Sequence, residues 1–337
     1  QVTYPSFAPP ERVDWVDYAK GFCIVMVVMV HSTLGVEADA GADGWMHYAV
    51  SWARPFRMPD FFLISGLFLG LVIDRPWMRY FDRKVVHFVY FYVLWLTIQF
   101  AFKAPGMAME EGVAGAVGNY LFSFIQPFGT LWFIYLLAVY FVVAKLLNPL
   151  PKWLVLAAAA IMHMATPHTG VFIVDEFATR FVFFYSGYAL APAIFAFAAR
   201  MQDMPRAMLA AAFVVWIAVN AVAVISGAAF ATGLDLVFSY IGIGAVVAFS
   251  ALVLSTVAGR AFAYCGRNSI AVYLAFTVFM GPARIVLLKV TGGEGAEAVA
   301  LSCQMCHANL DMRQERVNAH WRRDLGLPVV YFTEMIG

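Results

Sequence analysis

The chain has 337 residues and a formal net charge of +1; 63% of its residues are hydrophobic and only 13% are charged. Ordinary soluble chains run at roughly 45–50% apolar and about 25% charged. This balance excludes disorder, a collagen-like fibre and most water-soluble enzymes, and a charge so near zero leaves no electrostatic footprint for nucleic acid. Cys23, Cys265, Cys303 and Cys306 are too few and too unevenly spread for a disulfide framework. The composition fits an all-α, polytopic bundle of transmembrane helices.

A membrane helix needs about 20 largely apolar residues. Nine runs read as spans, at about 20–36, 58–73, 85–102, 128–147, 153–166, 179–199, 207–227, 234–256 and 268–289. The fifth is the shortest. Residues 113–126, apolar but interrupted by Gly and Asn, read as a re-entrant or interfacial helix. The first run reads as a retained span rather than a signal peptide. The chain opens at Gln1 rather than Met, as a piece of a longer protein would.

The basic residues set the orientation. With the N-terminus in the cytoplasm, the inner segments hold Arg12, Lys20, Arg75, Arg79, Arg83, Lys84, Lys145, Lys152, Arg200, Arg206, Arg260 and Arg267. The outer ones between spans hold only Arg54, Arg57, Lys103 and Arg180. The N-terminus is therefore expected inside and residue 290 onward outside. Composition changes at Thr291-Gly292-Gly293-Glu294, which divides the chain into a membrane domain, 1–290, and a polar tail, 291–337.

An ionisable group within a span is costly and so is a functional candidate. In the first run Lys20 and His31 are separated by ten residues. Eleven helical steps return to within about 20° of the starting direction and rise about 16–17 Å. Both side chains therefore share one helix face, Lys20 at the cytoplasmic end. Imidazole is the commonest general base near neutral pH, and a lysine at the inner mouth suits an anionic donor. The alternative is a snorkelling lysine and a histidine bonded to a neighbouring helix.

Arg54-Pro55-Phe56-Arg57-Met58-Pro59-Asp60 opens the second run. It places two arginines and an aspartate around an outer cavity with His31, Arg57 foremost; the alternative is an interfacial ion pair and a proline-set helix start. Arg75, Arg79, Arg83 and Lys84 fill the next inner loop. Such charges are what positive-inside topology requires, while Arg79 and Arg83, four apart, could clamp phosphates. His87 and His163 read as interhelical hydrogen-bond partners. Trp132 reads as an interfacial indole, and Asn268 or Ser269 as the cap of the last run. Cys303-Gln304-Met305-Cys306-His307 is an isolated CxxC that fits no common zinc spacing, so no metal is expected.

These motifs resemble the acyltransferase-3 family of membrane proteins, over roughly residues 12–289. The resemblance rests on Arg12-Val13-Asp14-Trp15 through Lys20-Gly21 to His31-Ser32, and on Phe56-Arg57-Met58-Pro59 with Phe61-Phe62-Leu63-Ile64-Ser65-Gly66. It rests also on Leu131-Trp132-Phe133, Phe184-Tyr185-Ser186-Gly187-Tyr188 and Gly266-Arg267-Asn268-Ser269-Ile270 with Tyr273. The family implies about ten spans in a bacterial inner membrane. It implies transfer of an acetyl- or succinyl-class group from cytosolic acyl-CoA to a hydroxyl of an extracytoplasmic glycan or glycolipid. It implies His31 as catalytic base, with Lys20 at the donor end. It also implies an arginine pair, for which Arg79 and Arg83 are the candidates, one residue wider apart than usual. Where many members carry a histidine after the tyrosine of the last run, Ala275-Phe276 stands here. Arg57 is assigned to the oxyanion.

Residues 299–337 resemble the end of a cysteine-rich CCG domain of the heterodisulfide reductase type, without its preceding cysteines. The tail therefore reads as a truncated fragment joined at a chimeric junction. Two rival functions follow: a polytopic transporter of a small polar solute or lipid-linked glycan, and, from the tail alone, a membrane-anchored iron–sulfur electron-transfer protein.

Overall fold

The computed structural model describes residues 13–41, 43–165, 169–254 and 256–291. Among them every regular element is helical. In chain order these are α1 (Asp14–Ala40), α2 (Met46–Ala53), α3 (Arg57–Gly66), α4 (Trp77–Tyr80), α5 (His87–Phe122), α6 (Trp132–Leu146) and α7 (Lys152–Ala165). There follow α8 (Phe172–Ala189), α9 (Ala191–Asp203), α10 (Arg206–Ile225), α11 (Leu234–Val253), α12 (Val257–Arg267) and α13 (Ser269–Thr291). Lipid offers no partner for a backbone N–H or C=O, so apolar segments close their hydrogen bonds internally as helices. The all-α, polytopic architecture is the one that the composition requires. Arg12 and the cysteine-bearing tail lie outside the described residues.

All nine apolar runs fall on helices, but not all as single straight spans. Among the described residues, five stretches are long and apolar enough to cross a membrane: Asp14–Ala38, Trp77–Phe122, Gly129–Leu146, Arg206–Ile225 and Leu234–Val253. The pair α8 and α9 makes a sixth, bent by 75° at Leu190. The second run is broken. Its helix α3 stops at Gly66 and gives way to a short 3-10 turn over Leu69–Leu71. The third run continues well past residue 102. It breaks at Gly112, whose φ of 78° and ψ of 166° no helix contains. Beyond the break the chain doubles back: the Tyr120 hydroxyl meets Thr97 Oγ1 at 2.9 Å and the Tyr120 ring packs on Phe100. The expected re-entrant segment is this returning arm.

Two helix crossings are closed by glycines from both sides. A Cβ on Gly21 would sit 1.7 Å from the Phe262 carbonyl oxygen, and one on Gly266 would sit 1.7 Å from that of Asp17. This fixes α1 against α12. Likewise a Cβ on Gly66 would lie 1.9 Å from the Phe184 oxygen, and one on Gly187 would lie 2.0 Å from that of Leu63. This fixes α3 against α8. Backbones that approach so closely gain dispersion contacts that larger side chains would forbid. A third tie is polar. The buried His163 of α7 bonds the Thr179 carbonyl of α8 through Nδ1 (2.5 Å) and Asp235 of α11 through Nε2 (2.9 Å). That is the interhelical role expected of it.

Gly66→Ala and Gly187→Ala should each lower the melting temperature of the detergent-solubilised protein, because overpacking against backbone costs about 1–3 kcal/mol. Gly106→Ala, in a helix with nothing within 4 Å of the new methyl, should be neutral or stabilising. Equal melting of all three variants would show that the α3–α8 crossing has slack.

Candidate functional site

His31 lies two-thirds of the way along α1, with Lys20 near its start. Both are partly buried. The His31 ring packs on Phe276 of α13, centroids 5.4 Å apart, which holds one of its faces. The next residue, Ser32, is buried, and its hydroxyl points at the Met280 sulfur, 3.5 Å away. His31 is thus clasped between α1 and α13, and its environment is completed by a charge from α3. The Arg57 guanidinium is close enough to act on the imidazole electrostatically. Arg54 and Arg180 in turn act on Arg57, so three cations gather at the His31 end of α1.

The turn that delivers Arg57 is held from several sides. Trp52, Phe56 and Trp216 form a triangle of edge-on rings with centroids 4.9 to 5.1 Å apart. Asn220 of α10, fully buried, donates to the Trp52 carbonyl at 2.8 Å, and the Trp52 indole donates to the Ile217 carbonyl at 3.3 Å. Ser239 of α11 donates to the Pro55 carbonyl at 2.7 Å. Gly242 leaves room for Phe56, whose Cβ would lie 2.3 Å from a methyl there. Helix α3 then starts at Arg57, with Pro59 in the first turn, where a missing N–H costs nothing. One atom of the result has no protein partner: Arg57 Nη1 is buried and unbonded.

Around this pair runs an aromatic wall. Phe61 and Phe62 of α3 meet Phe133 of α6, and Phe133 meets Tyr273 of α13. The Tyr273 hydroxyl donates to the Thr130 carbonyl. Trp132, expected at an interface, is partly buried and packs on Phe62, with the Arg180 guanidinium over its face at 5.3 Å. Arg180 is also ion-paired to Glu176.

At the Lys20 end a second basic group forms. The charges of Lys20 and Arg75 both act on the partly buried Lys84. Lys84 rests over the Phe141 ring at 5.3 Å. Lys145 donates to the carbonyls of Ile73 and Arg75 and so fixes the link before α4. Arg79 and Arg83 project from the same region and are exposed. The expected pair therefore lies in the same stretch of chain as Lys84, but Lys84 is the residue on which the charges of Lys20 and Arg75 act. Lys84 and Arg75 both stood in the sequence cluster; the spacing rule that singled out Arg79 and Arg83 assumes an α-helix, and residues 81–86 are π-helical.

Other candidates fall elsewhere. Arg54 is exposed, its guanidinium over Phe230 at 4.9 Å. Asp60 is fully buried and accepts from Cys23 Sγ of α1 at 2.5 Å. Asn268 stands at both ends: its side chain bonds back to the Tyr264 carbonyl of α12 at 3.0 Å, while its own carbonyl accepts from the Val272 N–H at 2.9 Å and so opens α13 as expected. Glu37, Asp43 and His47 bring three donor atoms within 4.8 Å of one another beyond the His31 end, a set that could hold a divalent ion. Sequence reasoning passed over Gln99, Thr130, Asn220 and Ser239. Their only signal was a polar residue within an apolar run.

Residues 13–295 match the family model described as an acyltransferase domain, acyltransferase 3, and the chain belongs to that family. It is similar to the inner membrane protein YcfT of Escherichia coli, with 29% identity over 185 residues, 47% of this chain and 51% of that protein. It is also similar to the nodulation protein NolL of Sinorhizobium fredii, with 26% identity over 182 residues, 53% of this chain and 48% of that one. The matched regions thus span about half the length of these curated relatives. No solved structure matches. The likeness of residues 299–337 to heterodisulfide reductase is not borne out, and the family match stops short of that segment at residue 295.

Asn220→Ala and Ser239→Ala each remove a donor from a carbonyl of the turn before Arg57. Each should cost about 1–3 kcal/mol and lower the melting temperature of the solubilised protein, the double variant more than either alone. Unchanged melting would mean that the Trp52–Phe56–Trp216 packing holds the turn unaided.

Proposed function

We propose that this member of the acyltransferase family is a multi-pass bacterial inner-membrane enzyme. It moves an acetyl- or succinyl-class group from cytosolic acyl-CoA to a hydroxyl of an extracytoplasmic carbohydrate. The observation that supports the proposal is that His31 of α1 and Arg57 of α3, both partly buried, lie near enough for the guanidinium charge to act on the imidazole. The name of YcfT supports the membrane assignment. The distribution of basic residues supports a cytoplasmic N-terminus, which puts the Lys20 end inside.

In this reading the phosphates of acyl-CoA dock on Lys20, Lys84 and Arg75, with Arg79 and Arg83 as outlying cations at the entrance. Ammonium and guanidinium groups bind phosphate through charge-assisted hydrogen bonds. The pantetheine arm runs along α1 from Lys20 to His31, a climb of about 16–17 Å. The acceptor hydroxyl gives its proton to an imidazole nitrogen of His31 as its oxygen attacks the thioester carbonyl carbon. The carbonyl oxygen becomes an oxyanion, which Arg57 stabilises through the Nη1 group that has no protein partner. The carbon–sulfur bond then breaks. The departing thiolate takes the proton back from the imidazolium, leaving an O-ester and free CoA. The Phe276 ring holds the imidazole in place through both proton transfers.

His31→Ala should leave the protein inserted and folded while abolishing CoA release that depends on acceptor. Arg57→Lys should reduce turnover about 10²–10³-fold, the usual loss when an oxyanion donor is removed. Lys20→Ala and Lys84→Ala should raise the KM for acyl-CoA about tenfold. Reconstituted protein with a thiol-reactive dye, together with mass spectrometry of surface glycans with and without the gene, measures all of these. Full activity of His31→Ala would refute the mechanism.

A further inference from the structure

Among the described residues, eight buried side-chain nitrogen or oxygen atoms have no hydrogen-bond partner. Four of them belong to Arg57, Gln99, Thr130 and Thr277. Gln99 of α5 is 6% exposed, and its side-chain oxygen lies 4.0 Å from where a Cβ on Gly129 would sit. Gly129 adjoins Thr130, whose carbonyl accepts from Tyr273. Thr277 is four residues beyond Tyr273 and so lies on the same face of α13, one turn further on. It also follows Phe276, the residue packed on His31. Gln99, Thr130 and Thr277 thus come from three separate elements to one wall beside the proposed base.

A buried polar group left without a partner is a net cost to the fold. Three such groups on one wall indicate a ligand that completes them. We infer that Gln99, Thr130 and Thr277 form the subsite for an uncharged saccharide ring, which presents the hydroxyl to be acylated to His31; the inference rests on the acyl-transfer reading above. The chemistry selects the ligand class. One carboxamide N–H donor and two hydroxyls are neutral groups suited to several sugar hydroxyls, which both donate and accept. The neighbouring rings of Phe133 and Tyr273 offer apolar surface to the face of a sugar. Arg57, on which Arg54 and Arg180 act, stands on α3, where an oxyanion would form. The pantetheine arm would arrive along α1 from the Lys20 end and so would not need this wall.

The test uses the full chain in nanodiscs, acetyl-CoA as donor, and glycans released from the envelope glycolipids of cells lacking the gene as acceptor. The variants are Gln99→Leu, Thr130→Val and Thr277→Val. Each removes an unbonded polar atom with little change in shape, so the variants should melt no lower than the parent when ligand is absent. Each should raise the acceptor KM at least tenfold and shift the KM for acetyl-CoA less than twofold. Each should also lose the rise in melting temperature that the released glycans give the parent protein. Unchanged acceptor KM and unchanged glycan stabilisation in folded variants would overturn the inference. So would a rise in the KM for acetyl-CoA alone, which would place these residues on the donor arm. If the parent protein released no CoA with any acceptor, yet glycan stabilisation were present and lost in the variants, the saccharide subsite would stand and the transfer reading would fall.

Discussion

The site depends on how closely two pairs of helix backbones approach. In lipid there is little hydrophobic drive for one helix to seek another, so association rests on dispersion contacts and on the few hydrogen bonds available. Gly21 with Gly266 lets α1 lie against α12, and Gly66 with Gly187 lets α3 lie against α8. His31 rides on α1 and Arg57 on α3. Their meeting is therefore set by atoms far from either of them. Each crossing has glycine on both partners, so a methyl on either side would strike a backbone carbonyl rather than a side chain that could swing away. This explains a feature of the sequence motifs. Lys20-Gly21, Ser65-Gly66, Ser186-Gly187 and Gly266-Arg267 all contain a crossing glycine. In this chain these four motifs thus serve packing, with the candidate chemistry carried on the helices they lock.

Buried polar residues then divide into two kinds. One kind makes bonds inside the protein and builds the fold, even where, as at Asn220 Oδ1, one atom stays unpartnered. His163 ties α7 to α8 and α11; the Asn220 amide and the Ser239 hydroxyl hold the turn before Arg57. The other kind stays open. Arg57, Gln99, Thr130 and Thr277 present buried atoms with no partner. In a low-dielectric interior an unmet polar atom is expensive and a met one is strong. The same property that makes the first kind good staples makes the second kind strong ligand contacts.

The helices were legible from the sequence because lipid imposes one demand, about 20 apolar residues that satisfy their own backbone. The interruptions were legible only in part, through the Gly and Asn of residues 113–126. Hydropathy does not register that α3 must stop at Gly66, which depends on the Phe184 backbone packed alongside, nor that the break falls at Gly112, where the backbone turns to positive φ. The axis of the site was legible too. The ten-residue gap between Lys20 and His31 fixes a shared face by helix geometry alone. What surrounds that axis was hidden. Gln99 comes from a helix far along the chain, and Thr130 from a 3-10 turn that looked interfacial. Trp132 fitted the rule for membrane-surface indoles, and its contacts with Phe62 and the Arg180 guanidinium were not to be read from that rule. Asp60 looked like a partner for the arginines and points instead at Cys23.

The loop between the second and third runs shows how one local irregularity redistributes charge. On a regular α-helix, residues four apart share a face, so Arg79 and Arg83 would act together. Residues Phe81–Val86 form a π-helical stretch, in which each turn takes up an extra residue. That lag rotates the later side chains relative to the earlier ones. Val85 becomes buried and Lys84 half-buried, while Arg83 stays exposed. The inward-turned cation is then the one that Lys20 and Arg75 act upon. Lys145 secures the geometry from the other side by binding the carbonyls of Ile73 and Arg75, so Arg75 is held by its backbone while its guanidinium remains available. Clustering like charges in a half-buried place is unfavourable by itself. A multivalent anion such as a phosphate would turn that repulsion into binding energy, and a π-turn that brings Lys84 inward supplies the cluster for it to do so.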